Sequence, residues 1–393
     1  MKKNYYCLLL IRVLKSTIQI FIDSFFVLYF IQMSNNNILP IGIYNLLLYT
    51  SLIFIIFLIR NLLKGKNRIY LLRLGMILNF IFFLLILILN ENMVKYSYLL
   101  GIIYGFEEGL FFSIFNVYES KIKEGKLAKY SGTYTALNSI LSVTIPIILG
   151  SVMSFNGFKK CTLIVLVLVI LNLFLTFIYK DKDIPTSNKS NLKGYFKLLK
   201  NNKDLKIVHA ASFTNGLTYG GAFSLLITIY IIKVFKTGFS LGVLTSFFCL
   251  ITALASYVFA NHISKSKYKK IIICCNTLTI IGLVLMVVKC NPITIIMFNF
   301  IQSFSKTYAN LIGTNNNIIL SQKKEVKETY KEEYYMVHEL FIFVGRIFSY
   351  SAFCMLAFAD TILKTNIIML IFISFMILRT VFHVKLQDII NEK

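Results

Sequence analysis

The feature that most constrains this chain is a succession of twelve stretches of about 20 mostly apolar residues, each long enough to cross the hydrocarbon core of a bilayer as a helix. Backbone groups in lipid must bond within the protein, and the stretches are about twice as long as barrel strands. We therefore predict an all-α integral membrane protein with twelve transmembrane helices. The predicted spans are residues 14–33, 39–59, 74–90, 97–118, 131–154, 158–179, 207–232, 239–260, 271–288, 293–320, 335–358 and 363–383.

The composition agrees with this prediction. Hydrophobic residues make up 57% of the 393 positions and charged residues only 15%, and the mean hydropathy is +0.73. About a quarter of an average soluble chain is charged, so a soluble globular protein is excluded. In a soluble protein, the formal net charge of +24 would suggest nucleic acid as a partner. In a membrane protein, what matters is which loops carry the basic residues. We therefore expect no nucleic-acid partner.

The distribution of Lys and Arg predicts the topology. With the N-terminus inside, 32 of the 41 basic residues lie in cytoplasmic segments or at the cytoplasmic ends of spans and 7 on the external side, while Lys306 and Arg346 lie deeper within spans. This bias alternates from loop to loop as the positive-inside rule requires. We predict a multi-pass protein of the cytoplasmic membrane with both termini in the cytoplasm.

The longest polar segment divides the chain into two six-helix halves. The predicted N-terminal half is 1–180, the linker 181–206 and the C-terminal half 207–393. In the linker, apolar residues recur at helical spacing among lysines, which is typical of an amphipathic helix on an anionic inner leaflet. A flexible charged linker is the alternative. The apolar residues are Leu192, Tyr195, Phe196 and Leu199.

Ionisable side chains inside the spans are the strongest functional signal. Each costs about 2.5–3.5 kcal/mol on insertion scales, so its presence indicates function unless a structural ion pair explains it. Glu339 and Arg346 are seven residues apart, about 10 Å along a helix, and each needs a partner on another helix. We predict a proton-coupling charge network made of Asp23, Glu107, Glu108, Lys306, Glu339 and Arg346.

Polar faces on the first, fifth, seventh and tenth spans indicate a cavity. The clearest is on the tenth span, where Gln302, Lys306, Asn310 and Asn317 lie on one face of the helix. The third, sixth, ninth and twelfth spans are nearly pure Leu, Ile, Val and Phe, and we expect them to face lipid. We predict that the substrate cavity is lined by Gln19, Asn138, His209, Tyr219, Gln302 and Asn310.

Enzyme chemistry is not supported, and we expect no catalytic residue, cofactor or metal site. The chain has no phosphate-binding loop, which excludes an ATP motor on this chain. His338 and Glu339 match the first two residues of the His-Glu-x-x-His motif of zinc proteases, but Ile342 occupies the position of the second histidine. The seven cysteines lie almost all in apolar runs and have no metal-ligand or disulfide spacing, so we interpret them as packing residues.

This organisation resembles the major facilitator superfamily of secondary transporters. The loop 60–68 keeps the basic residues and one glycine of the superfamily's signature but lacks its acidic residue, and loop 261–270 keeps only the lysines. Of the Gly-rich run that antiporters carry in the fifth helix, Gly132, Pro146 and Gly150 are in compatible places. The resemblance implies alternating access to a midplane site by a monomer. Its partners would be a small-molecule substrate, protons and membrane lipids.

The predicted mechanism is proton-coupled export of a small organic molecule. Asp23 or Glu108 would exchange the proton, since burial disfavours a charged carboxylate and a nearby cation favours it. Superposing the halves at an offset of 198 aligns Glu108 with Lys306, which suggests an acid and a base facing one another. The alternatives are a lipid flippase of the same fold and a non-transporting membrane sensor or partner.

Overall fold

The computed structural model describes residues 2–35, 37–59, 62, 68–120, 124–180, 191–289, 291–321, 326, 330–357 and 362–391. Within these ranges every regular element is helical. The chain divides into two compact units, and each unit is described by itself. Unit 1 comprises Met1–Ser187 and Phe235–Phe247, and unit 2 comprises Asn188–Val234 and Phe248–Lys393.

The described residues up to 180 form six α-helices and two short turns of other helix types. The first span is continued through a π-helical turn, Phe21–Phe26, between α1 and α2. A 3-10 turn, Asn90–Val94, follows α4. The helices are α1 Lys2–Ile20, α2 Val27–Met33, α3 Leu39–Ile59, α4 Arg68–Leu89, α5 Ser97–Ser120 and α6 Glu124–Ile178.

Helix α6 contains two of the predicted spans. Gly157 interrupts it with φ 81° and ψ 168°, values that a residue with a Cβ rarely adopts. The chain therefore turns at a glycine between the predicted fifth and sixth spans.

The described residues from 191 onward form eight α-helices. The predicted seventh span is discontinuous, because α8 ends at Leu217 and α9 begins at Ala222. A 3-10 turn, Lys265–Lys267, precedes α11. The helices are α7 Leu192–Asn201, α8 Lys203–Leu217, α9 Ala222–Phe235, α10 Gly238–His262, α11 Tyr268–Val288, α12 Pro292–Ser321, α13 Lys331–Ala357 and α14 Ile362–Asn391.

The predicted spans and the helices coincide along the chain. Among the described residues, ten helices are long and apolar enough to cross a membrane. One of them, Tyr130–Ile178, contains both the fifth and the sixth predicted span, and the 30-residue α12 coincides with the tenth. The all-α membrane architecture is confirmed. The orientation of the termini stays a prediction.

A stripe of glycines holds α3 and α5 together in unit 1. Gly101, Gly105 and Gly109 are spaced by four residues and lie on one face of α5. A Cβ on Gly101 would collide with the backbone carbonyl of Tyr44 on α3, and a Cβ on Gly105 would collide with that of Leu48. Small residues at this spacing allow two helix backbones to approach closely, which is the usual way of packing helices in lipid.

The third, sixth, ninth and twelfth spans are less uniform than the sequence suggests. Their outer faces carry many exposed apolar side chains, as expected for contact with lipid. Each span also buries an amide or guanidinium side chain, so these helices contribute polar groups to the protein interior as well. The buried residues are Asn79, Asn172, Asn276 and Arg379.

Helix α7 packs against other helices of its own unit, unit 2. Asn191 caps the helix by accepting a hydrogen bond from the Gly194 N–H at 2.9 Å. Tyr195 and Leu199 are buried in a cluster with residues of α8, α12, α13 and α14, whereas Phe196 is exposed. The apolar face of α7, which the sequence predicts to lie on the inner leaflet, is thus partly covered by other helices of the protein. Most of the basic motif 60–68 and linker residues 181–190 lie outside the described residues.

The glycine stripe gives a test of close packing. Gly105→Ala places a methyl group against the α3 backbone and should lower the free energy of unfolding by about 1–3 kcal/mol, as overpacking does. Gly132→Ala is the matched control, because no atom lies within 4 Å of the added Cβ. The measurement is the fraction of monodisperse protein after heating in detergent, followed by size-exclusion chromatography. Equal thermal stability of the two variants would contradict the packing argument.

Candidate functional site

A lysine in unit 1 bridges two adjacent carboxylates. Lys15 Nζ lies 2.6 Å from Glu107 Oε2 and 2.7 Å from Glu108 Oε1. Lys15 and Glu107 are buried, and 23% of the Glu108 side chain is exposed. One lysine charge therefore faces two carboxylate charges, and Glu108 is the carboxylate that solvent or a ligand can reach.

The buried carboxylate is held from a second side. Asn79 Nδ2 on α4 donates to Glu107 Oε1 at 3.0 Å. The Lys15 ammonium also lies 5.1 Å from the ring centre of Tyr104 and 5.5 Å from that of Phe111, both on α5. Aromatic faces at these distances stabilise a cation. Glu107 is therefore fixed between α1 and α4, whereas Glu108 meets Lys15 at the edge of the network.

A second chain of hydrogen bonds leads to Asp23. The Tyr104 hydroxyl donates to Gln19 Oε1 at 2.6 Å, and Gln19 Nε2 donates to Asp23 Oδ1 at 2.8 Å. Asp23 is exposed in the isolated chain and lies in the π-helical turn Phe21–Phe26. Such turns are rare and frequently mark functional sites. We name the group Lys15, Gln19, Asp23, Asn79, Tyr104, Glu107 and Glu108 the acidic network.

Local sequence patterns explain this assembly. Lys15, Gln19 and Asp23 are spaced by four residues, so they follow one another along one face of the first span. Glu107 lies between Gly105 and Gly109, where the close approach of α5 to α3 is fixed. The acidic pair is thus carried by the part of α5 that packs most tightly.

The structure brings Gln19, Asp23, Glu107 and Glu108 together as members of one network, but it adds a cation that the sequence does not indicate. Because Lys15 lies at the edge of the first span, its position in the sequence suggests the cytoplasmic N-terminal segment. The expected partner of Glu108 is Lys306, whereas the partner found in unit 1 is Lys15. The signal available in the sequence is the regular spacing from Lys15 to Asp23.

The discontinuity between α8 and α9 is the main feature of unit 2. The Ser349 hydroxyl on α13 donates to the Leu217 carbonyl at 3.0 Å and accepts from the Ala222 N–H at 3.0 Å. A Cβ on Gly216 would collide with the Ile342 carbonyl, so α8 and α13 meet at bare backbone. Ser349 therefore satisfies backbone groups on both sides of the break, as a membrane requires.

Two arginines lie beside this break. The Arg346 guanidinium is adjacent to Gly220, where a Cβ would be 2.7 Å from its Nε. Arg379 is buried and lies 4.6 Å from the ring centre of Tyr219. Its Nε donates to Asn215 Oδ1 at 3.0 Å and its Nη1 to Asn276 Oδ1 at 2.7 Å. Arg379 thus ties α8, α11 and α14 together around Tyr219.

Sequence reasoning misses Arg379, Asn215 and Asn276. By its position Arg379 is grouped with the basic C-terminal tail, and the twelfth span is expected to be apolar. Of the predicted residues, Tyr219 and Arg346 come together at the break with these three, and no single spacing along the chain reveals that arrangement.

His209 belongs to another polar cluster of unit 2. Its Nε2 lies 2.7 Å from the Tyr195 hydroxyl of α7. His338 Nδ1 lies 2.6 Å from the Ser212 hydroxyl, and its Nε2 lies 2.8 Å from Asn317 Nδ2. The two imidazole rings are 6.5 Å apart. This cluster connects α7 to α8, α12 and α13.

The remaining predicted residues are more dispersed. Asn138 is half-buried on α6, and Gln302 is buried on α12. Lys306 and Glu339 are half-buried on α12 and α13, and Asn310 is exposed. Within the described residues, no group of three or more His, Cys, Asp or Glu side chains has an arrangement that could hold a metal ion.

The sequence profile of the Major Facilitator Superfamily matches residues 16–325, which is most of the chain. The protein belongs to this superfamily. Among curated proteins, the uncharacterized protein YqgE of Bacillus subtilis (strain 168) is 25% identical over 354 residues, which cover 85% of this chain and 78% of YqgE.

Solved structures of low sequence identity support the fold of this superfamily member. A bacterial homologue of the iron transporter ferroportin, in an inward-facing state, has a TM-score of 0.75 and 11% identity, covering 98% of this chain and 99% of that one. A bacterial metal transporter has a TM-score of 0.64 and 11% identity, covering 98% of this chain and 97% of that one. A bacterial homologue of the human lysosomal transporter Spinster has a TM-score of 0.63 and 12% identity, covering 98% of this chain and 96% of that one. The family and these neighbours point to a transporter and not to an enzyme.

Removing the shared cation should destabilise the superfamily member strongly. Lys15→Met leaves two carboxylates without their ammonium, and breaking a buried ion pair costs about 3–5 kcal/mol. Lys15→Met combined with Glu107→Gln should be more stable than Lys15→Met alone, because one orphaned charge is gone. Thermal unfolding in detergent measures both, and Lys95→Met, at an exposed lysine, is the control. If the loss of thermal stability in the double variant equalled the sum of the losses from the two single substitutions, the pairing of Lys15 with Glu107 would be contradicted.

The break in the seventh span should depend on one hydroxyl. Ser349→Ala leaves the Leu217 carbonyl and the Ala222 N–H without this partner, at about 1–3 kcal/mol for each buried group. We expect faster hydrogen exchange of the backbone amides in residues 217–224, measured by mass spectrometry. Ser374→Ala is the control, since that exposed hydroxyl bonds the Leu370 carbonyl of its own helix. Unchanged exchange in Ser349→Ala would refute the bridging role.

Proposed function

We propose that the protein is a secondary active transporter that moves a small organic molecule across the cytoplasmic membrane by alternating access, in exchange for protons. The observation that carries this proposal is the sharing of Lys15 between Glu107 and Glu108. A charge network inside a span is expensive to keep and serves ion or substrate movement in transporters. A non-transporting sensor would have no need of it.

The charge balance of the acidic network supports proton exchange. Lys15 can neutralise only one of the two carboxylates, and an additional buried charge is strongly disfavoured. The network is therefore relieved when Glu108 takes up a proton or a donor group of a substrate. Since Glu107 is fixed by Lys15 and Asn79, Glu108 is the group that we assign to exchange.

Asp23 is the second proposed exchange site. Its carboxylate is exposed in the isolated chain and accepts the hydrogen bond from Gln19 through Oδ1. Asp23 lies eight residues from Lys15, about 12 Å along the helix, so it is at a different depth from the pair that Lys15 bridges. The chain Tyr104–Gln19–Asp23 connects it to the helix that carries Glu108.

The proposed direction is export. Protons and substrate that use the same carboxylate compete for it, so the release of one accompanies the binding of the other. Such competition gives antiport, and an inward proton gradient then drives the substrate outward. The conformational cycle that exposes the carboxylates to each side in turn is the one expected of this superfamily.

Proton flux in sealed proteoliposomes containing a pH dye tests the proposal. Pools of metabolites and drugs are added under an imposed pH gradient, together with divalent metal ions, because two structural neighbours are described as metal or iron transporters. We expect substrate-dependent proton flux in the native chain and a loss of at least tenfold in Glu108→Gln or Asp23→Asn. Loading the substrate on either side of the membrane determines the direction.

Glu91→Gln serves as the matched control, because this exposed carboxylate lies in the turn after α4, outside the acidic network. Flux that persists in both network variants would end the assignment of proton exchange to Asp23 and Glu108. Absence of flux with every pool would favour a uniporter, a lipid flippase or a non-transporting protein instead.

A further inference from the structure

An apolar groove runs between α8 and α13 within unit 2. It has a volume of about 580 Å³. One wall is the face of α8 that carries Lys206, His209 and Phe213, and the other is the face of α13 that carries Phe341, Val344 and Phe348. On each helix these positions are three or four residues apart, so the groove follows the helix axes.

The groove has a charged end and an apolar end. Lys206 is exposed and lies close to the start of the span Lys203–Phe235, which places it at a membrane surface. From Lys206 to Phe213 the groove extends seven residues along α8, about 10 Å, or roughly two thirds of the hydrocarbon depth of one leaflet. Its deeper part is lined by Phe213, Val344 and Phe348.

Further lysines surround the charged end. Four exposed lysines lie on α7 and at the start of α8, and Leu199 of α7 contributes to the wall of the groove. The distribution of basic residues predicts that this end is cytoplasmic, where anionic lipids are enriched. The four are Lys193, Lys197, Lys200 and Lys203.

We propose that this groove binds an anionic phospholipid, with one acyl chain lying along the packed rings of Phe213 and Phe348 and the phosphate paired with Lys206. A cation above an apolar slot of this depth is complementary to an amphiphile with a negative headgroup, and basic pockets between membrane helices bind such headgroups. The proposal does not depend on what the transporter carries. Small polar substrates do not match these walls, since His209 is the polar side chain in the apolar part and already contacts Tyr195.

The bound lipid also stabilises the position of α7. His209 lies in the groove wall and contacts the Tyr195 hydroxyl, while Leu199 closes the groove from the same helix as Tyr195. An acyl chain in the groove packs against both contacts. The lipid thereby links the surface helix to α8 and α13.

The absence of tryptophan from the chain makes a direct test possible. Phe348→Trp introduces a single tryptophan, which can be excited selectively over tyrosine, at the apolar end of the groove, and phospholipids with brominated acyl chains quench tryptophan on contact. The protein is reconstituted in phosphatidylcholine vesicles containing about 10 mol% brominated phosphatidylglycerol or about 10 mol% brominated phosphatidylcholine, at roughly physiological salt because surface attraction is screened there. We expect at least twofold stronger quenching by the anionic lipid.

Two further variants decide the outcome. Tyr257→Trp is the matched control, because this exposed residue of α10 lies near the basic turn Lys265–Lys267 but outside the groove. Lys206→Gln in the Phe348→Trp chain should abolish the preference for phosphatidylglycerol. Equal quenching by both lipids at Phe348→Trp, or the same preference at Tyr257→Trp, would overturn the groove site. A preference that survives Lys206→Gln would overturn the pairing of the phosphate with Lys206.

Discussion

The structure depends on one constraint, which is that hydrocarbon offers no hydrogen-bond partner to a polar group. Every polar side chain brought into a span must therefore find its partner within the protein. Lys15 meets this requirement with two carboxylates, and Arg379 meets it with two amides and the face of Tyr219. At the break in the seventh span, the hydroxyl of Ser349 replaces backbone hydrogen bonds that the helix has lost. The positions of these polar groups follow from the same requirement in both units.

Close helix packing is what allows these partners to reach one another. Glycines let α5 approach α3 at bare backbone, and the acidic pair lies between two of these glycines along the sequence of α5. In unit 2, Gly216 and Gly345 bring α8 against α13 beside Ser349. Because attraction between helices in lipid comes from contact and hydrogen bonding, and not from the expulsion of water, small residues determine where polar partners can meet.

The spans and most of the acidic network can be predicted from the sequence, because hydropathy and ionisable residues in apolar stretches are local signals. Asp23, Glu107 and Glu108 are identified in this way. Lys15 and Arg379 are not, since each lies within a few residues of the end of its predicted span and is therefore counted with the adjoining basic segment. Spacing within one helix also reveals a shared face but not the register between helices. For this reason the sequence suggests Lys306 as the partner of Glu108, whereas Lys15 is the partner found in unit 1.

The position of Lys15 also explains how a pair of adjacent carboxylates can be useful. In a low-dielectric site two neighbouring carboxylates disfavour each other's charged form, and a nearby cation favours it. One lysine shared between them bonds Glu107, which Asn79 also holds, and leaves part of the Glu108 side chain exposed. The ratio of one ammonium to two carboxylates is therefore the property on which the proposed exchange rests.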